Sequence, residues 1–149
     1  MTNSKREEAQ MLMKSILVGF VFATTVSVAQ RATPSIPAGV WQNKEEGFVV
    51  RVESCGGGFC GVAVGAPKNG KHKPEEICGK TLLKDFLWNG NSHKWVGHMQ
   101  PPDMDRALNS EVETDGMTYM KVHAHILMMS KTLNFQPYTG RLGDHCELE

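Results

Sequence analysis

Four cysteines, Cys55, Cys60, Cys78 and Cys146, are the side chains of this chain best placed to do chemistry. Thiols pair as disulfides, hold a soft metal or exchange electrons. Cys55 and Cys60 flank Gly56-Gly57-Gly58-Phe59. In a four-residue hairpin the two would face each other at about 4.5–5.5 Å between Cα atoms, a span that a disulfide tolerates. The spacing lacks the Cys-x-x-Cys geometry of thiol oxidoreductases, and no second close pair completes a zinc site. A staple that fixes hairpin register is therefore expected, worth about 2 kcal/mol in the chain-entropy model. Four cysteines allow three pairings, and the spacing favours this one. Joining the remaining Cys78 and Cys146 would close a long loop and tie the tail to the domain, for about 4 kcal/mol.

Other chemistry is sparser. His123 and His125 stand two apart and share one face of a strand, so zinc or copper there needs a third ligand from His98, Asp103 or Glu113. Two solvated histidines are the simpler expectation. The acidic pairs Asp103/Asp105 and Glu111/Glu113 sit in polar context, where exposed charge is the common outcome. There is no Gly-x-Ser-x-Gly elbow, phosphate-binding Gly-Lys motif or His-Glu-x-x-His helix. No catalytic residue, metal ligand or cofactor is assigned. Met99, Met104, Met117, Met120, Met128 and Met129 are numerous for a small domain and fit core packing better than a methionine-lined pocket or copper site.

These residues need a scaffold, and length limits it to one domain of the 149-residue chain. Lys14, the apolar run from Ile16 to Val28 and the small residues Ser27-Val28-Ala29 form an export signal, with cleavage before Gln30. The run is too short and hydroxylated for a membrane span of about 20 apolar residues. The polar stretch ahead of it makes Met11 or Met13 an alternative start, and no cysteine follows the cut to carry lipid. An even cysteine count behind such a signal fits the periplasm or the exterior. Residues 30–149 carry 13 basic and 14 acidic side chains. A near-neutral domain lacks the electrostatic footprint for nucleic acid or an anionic membrane surface.

The remainder divides into an extended lead-in at 30–38, a β domain at 39–142 and a tail at 143–149. Strands are expected near 39–42, 48–54, 61–65, 82–88, 94–99, 107–113, 117–128 and 133–138. Asn89-Gly90 and Thr114-Asp115-Gly116 serve as hairpin turns. Residues 66–80, with two prolines and four lysines, read as a solvated loop, and no helix is expected. Met120, Val122, Ala124, Ile126 and Met128 alternate with Tyr119, Lys121, His123 and His125, the pattern of an antiparallel strand wet on one face. With the cysteines opposed, Val52 pairs with Ala63 and Val50 with Gly65. Regular turn spacing points to an all-β sandwich or, preferably, an up-and-down barrel of seven to eight strands.

Gly39-Val40-Trp41, the run Val49-Val50-Arg51-Val52-Glu53-Ser54-Cys55, Phe59-Cys60-Gly61 and Trp95-Val96-Gly97 resemble, in that order, the domain of unknown function 2147 family of small exported bacterial proteins. The likeness runs from Ile36 to Arg141. It departs at His98-Met99-Gln100-Pro101-Pro102-Asp103 and at Phe135-Gln136-Pro137-Tyr138-Thr139-Gly140-Arg141. The resemblance implies export and fold but no catalytic residues. A second resemblance, to lipocalin-like barrels, gives Trp41 and Arg141 a structural part: the guanidinium should lie over the indole, within about 6 Å. That analogy makes binding of a small apolar or lipidic ligand the first expectation. A ligand-free interaction or envelope-maintenance domain is the second, and an enzyme the third. A lumen of roughly 300 Å³ or more would favour the ligand; a filled lumen with an exposed apolar patch would favour the interaction domain.

Overall fold

The computed structural model describes residues 32–149; the export signal expected at 1–29 lies outside the described residues. Eight antiparallel strands close into an up-and-down barrel in sequence order. They are β1 (Gly39–Asn43), β2 (Phe48–Cys55), β3 (Gly58–Gly65), β4 (Thr81–Asn89), β5 (Lys94–Met99), β6 (Leu108–Thr114), β7 (Met120–Ile126) and β8 (Met129–Pro137). Most strands alternate buried and open residues, as Leu108, Ser110 and Val112 do on β6 and Met120, Val122 and Ala124 on β7. Period-two burial sends one face to the lumen and the other to water.

Side chains fill that lumen. Phe59 stacks on Phe86 with ring centroids 5.0 Å apart, and Trp95 meets Phe59 edge-on at 5.2 Å. Trp41, Phe48, Met99 and Met120, none of them more than 2% exposed, join these rings in the core. The lead-in closes the end that carries the β2–β3, β4–β5 and β6–β7 hairpins. There the Trp41 indole N–H donates to the Pro37 carbonyl at 2.8 Å. The opposite end carries the β1–β2, β3–β4, β5–β6 and β7–β8 connections and is called the loop end below.

Several local expectations are corrected. The β2–β3 hairpin turns on two residues, Gly56 and Gly57, both at positive φ, where glycine is at home. Cys55 therefore pairs with Gly58 and Cys60 with Glu53, and the register becomes Val52 to Gly61 and Val50 to Ala63. The cysteines lie diagonally on the outer face rather than opposed. Their disulfide still forms across 5.7 Å between Cα atoms.

The loop at 66–80 contains a short helix, α1 (Pro74–Ile77), whose Ile77 is buried with Leu82 and Ala66 in the core. The strand expected at 117–128 is β7 alone. It stops at Ile126, a turn follows at Leu127 and Met128, and β8 begins at Met129. Met128 thus points to solvent, not inward.

Candidate functional site

The second disulfide, Cys78–Cys146, fixes the tail beside α1. The Ala66 N–H donates to the Cys146 carbonyl at 2.9 Å, and the Leu148 N–H to the Ala66 carbonyl at 3.2 Å. The tail crosses the outer face of β3 at Gly65, where a Cβ would fall 2.5 Å from Leu148 Cδ2 and 3.0 Å from Leu142 Cδ2. Small residues on that strand admit a neighbouring segment. This path carries Arg141 into solvent, its carbonyl accepting the Tyr138 hydroxyl at 2.8 Å. The expected guanidinium–indole contact with Trp41 is therefore absent. The one cation over an aromatic ring among the described residues is Lys121 on Tyr119.

At the loop end the β1–β2 turn is shaped by Asn43, whose side-chain oxygen accepts the Glu46 N–H at 2.8 Å. The turn aims the Glu46 carboxylate at cations from two distant segments. Lys71 of the β3–β4 loop donates to it at 2.6 Å, and Lys131 of β8 binds its other oxygen. His72, itself buried, stands 3.4 Å away. Burial alone would raise the Glu46 carboxyl, but hydrogen bonds from Lys131 and Lys71 outweigh it and hold the group at about 2. Glu46 is therefore an ionised latch, not a proton donor poised for neutral pH.

Beside this latch opens a cleft of 160 Å³. Phe48, Met99, Leu108 and Leu133 form its floor, while Pro101, Pro102 and Met104 of the β5–β6 loop form one wall. An apolar cavity of about 150 Å³ holds a molecule the size of benzene, so this cleft suits one ring or one large side chain. It falls short of the roughly 300 Å³ typical of small-molecule sites.

Ile126 lines the same cleft, and the chain then protrudes. Leu127 is 91% exposed, Met128 wholly so and Met129 73%. Leu127 also sits at φ +55°, the left-handed region that a bulky side chain rarely occupies. The turn combines two unfavourable choices, strain and exposed apolar surface.

Of the remaining expected site residues, Asp103 lines this cleft and the others are dispersed. His98, His123 and His125 share the outer face of β5 and β7. The His123 ring bonds Thr132 at 2.8 Å and lies 4.0 Å from Glu113. Glu111 is paired with Lys94 at 3.0 Å, which lowers its carboxyl pKa. Among the described residues, the one trio of ligand-type side chains within 4.8 Å of one another is Cys55, Cys60 and Asp85, and both sulfurs there are spent in the disulfide. Met99 and Met120 pack in the core, Met104 walls the cleft, and Met117, Met128 and Met129 are exposed.

Sequence reasoning missed Glu46, Lys71 and Lys131, which meet across separations of 25 and 85 residues. It missed the apolar tip because Leu127-Met128 carries no turn signal. No protein-family model, curated protein or solved structure matches the chain. The geometry alone defines the class: a small closed β-barrel with two disulfides and a filled lumen.

Proposed function

We propose that this protein is an interaction domain that binds a protein partner at its loop end and holds no ligand inside. One observation carries the reading: the strained, exposed Leu127–Met128 turn stands beside a cleft sized for one side chain. Monomeric proteins rarely leave such patches open unless they are used, and interfaces concentrate their energy where an apolar anchor enters a pocket. Backbone strain in a surface turn points the same way, since it persists only where the surroundings hold it and is concentrated at functional segments.

An exported setting supports the proposal. Two disulfides suit an oxidising compartment, and no described helix is long and apolar enough to cross a membrane. Kinship with the domain of unknown function 2147 family, inferred from the motifs above, belongs to the same proposal.

A photo-crosslinking amino acid at position 128, in cells that make the protein, tests it. The expected product is one discrete protein adduct, missing when the probe sits at Lys121 on the barrel wall. Equal adducts from both positions would sink the reading. A second reading, a short apolar ligand in the cleft, is favoured by the apolar floor beneath the Glu46–Lys131 lip. Native mass spectrometry of the purified protein would then show a bound small mass.

A further inference from the structure

One strand of the barrel is only partly paired. β8 pairs with β7 along its length, from Met129 opposite Ile126 to Phe135 opposite Met120. On its other side it meets β1 only at Gln136 and Pro137. β1 leaves at Asn43 to turn toward β2, and β8 continues past it alone.

Hydrogen-bond parity shows which groups are left. In a two-residue hairpin the closing pair, Ile126 and Met129, exchanges backbone bonds, and every second residue then does so. Met129, Lys131, Leu133 and Phe135 thus turn their N–H and C=O groups to β7, and the residues between them face away. Gln136 follows the same parity toward Gln42, and the Tyr138 N–H donates to the Val40 carbonyl at 2.9 Å. Ser130, Thr132 and Asn134 present their backbone groups to the unpaired side. All three are exposed, and among the described residues none of them bonds another segment through its backbone.

We propose that this edge receives an extended segment of the partner polypeptide as an added strand. The inference rests on the interaction function above and names its mode of binding. A five-residue strand spans about 16 Å, the length of edge from Ser130 to Asn134. Lys131 and Leu133, whose side chains point inward beneath the edge, line the cleft. A strand laid here directs its own inward side chain into that cleft. Backbone pairing supplies affinity and the pocket supplies selectivity, as in other β-augmented complexes. Lys71 and Lys131 share one carboxylate yet remain about half exposed, 54% and 53%. Asp103, which also lines the cleft and stands near Lys71, balances the second lysine, so the apolar anchor and not charge sets selectivity. The inward lysine also guards the edge against indiscriminate pairing, a device common on natural sheet edges.

The test uses a blocked heptapeptide of alternating valine and threonine, with a central phenylalanine. Amide exchange is followed residue by residue by NMR. The peptide should slow exchange at Ser130, Thr132 and Asn134. A version N-methylated on its β8-facing amides should bind at least tenfold more weakly. Thr132→Pro removes one edge N–H and the exposed His123–Thr132 contact but no ladder bond, so the barrel should stay folded and lose peptide binding at least tenfold.

Peptide binding that protects no β8 amide, or that survives Thr132→Pro, would overturn the proposal. So would slowing of the same amides by rising protein concentration alone, which would assign the edge to a second copy of this chain. A crosslink from position 128 that persists in Thr132→Pro would end the strand-addition mode while leaving the interaction function standing.

Discussion

The carboxylate of Glu46, on the turn between β1 and β2, is clasped by the ammonium of Lys131 on β8, 85 residues further along the chain. The pair bridges the barrel where β1 has ended and β8 runs on. Backbone pairing is missing there, and an ion pair with a half-exposed lysine replaces it.

The latch makes stability depend on acid. The Glu46 carboxyl is held at about 2 in the folded protein, against 4.5 when unperturbed. A lowered folded pKa contributes stability that is full above the unfolded value and is lost as pH falls through the folded one. Replacing Glu46→Gln should therefore cost about 1–2 kcal/mol at pH 7, allowing for solvent screening of the two lysines. The gap between wild type and variant should close as pH falls from about 4.5 to about 2. Urea unfolding at pH 7 and in acid measures both ends of that window. A variant as stable as wild type at pH 7 would show that the pair closes the seam without stabilising it.

The Leu127 turn predicts opposite effects on fold and function. A left-handed leucine costs about 1–2 kcal/mol, of which glycine would recover part after its own entropic penalty. Leu127→Gly should raise stability by about 0.5–1 kcal/mol, a melting shift of about 2–4 °C. It should also remove the crosslinked partner by erasing half of the apolar tip. Met128→Asp should leave the melting temperature alone, because Met128 is wholly exposed, and should abolish the adduct formed by a probe moved to the exposed position 129. Melting curves together with crosslinking yields separate the two effects. A Leu127→Gly protein that melts lower would mean that the turn is packed rather than strained.

Much of the barrel is legible in the chain because alternation is local. Val50 and Val52, Trp95 and Met99, and Met120, Val122 and Ala124 all declare their inward face within a few residues. Alternation carried one step too far at Met128, since nothing in Ile126-Leu127-Met128-Met129 marks a turn by composition. The glycine run hid a two-residue turn inside what read as a four-residue connection, shifting the β2–β3 register by two. Helix α1 was obscured because its one core residue, Ile77, stands among charged neighbours. The latch was beyond local reasoning: Glu46, Lys71 and Lys131 are ordinary charged residues until strand order brings them together.

Glycines of equal propensity should respond very differently to one added methyl. At Gly58 a Cβ would lie 1.8 Å from the Phe86 carbonyl oxygen, a backbone atom that cannot yield without parting β3 from β4. Gly58→Ala should cost about 3 kcal/mol or more. Gly90, in the Asn-Gly turn, has nothing within 4 Å of a built Cβ, and Gly90→Ala should stay within about 0.5 kcal/mol of wild type. Thermal denaturation by circular dichroism compares the two directly. Equal losses would mean that β3 and β4 are not in such close contact at Phe86.

The two disulfides should also differ, since the loops they close are separated by 5 and 68 residues. In the chain-entropy model the short bridge contributes about 2 kcal/mol and the long one about 4 kcal/mol. Cys78→Ser with Cys146→Ser should therefore be the more damaging pair, lowering stability about twice as far as Cys55→Ser with Cys60→Ser. Its loss has a second, local consequence. Once freed, the tail uncovers Gly65 and the outer face of Val49, so amides of residues 142–149 should exchange at open-chain rates while those of β6 and β7 stay protected. Hydrogen exchange by mass spectrometry on both double variants checks the stability order and the location together. Should the short bridge prove the costlier to remove, the hairpin staple, and not the tail strap, would be the element that holds the barrel closed.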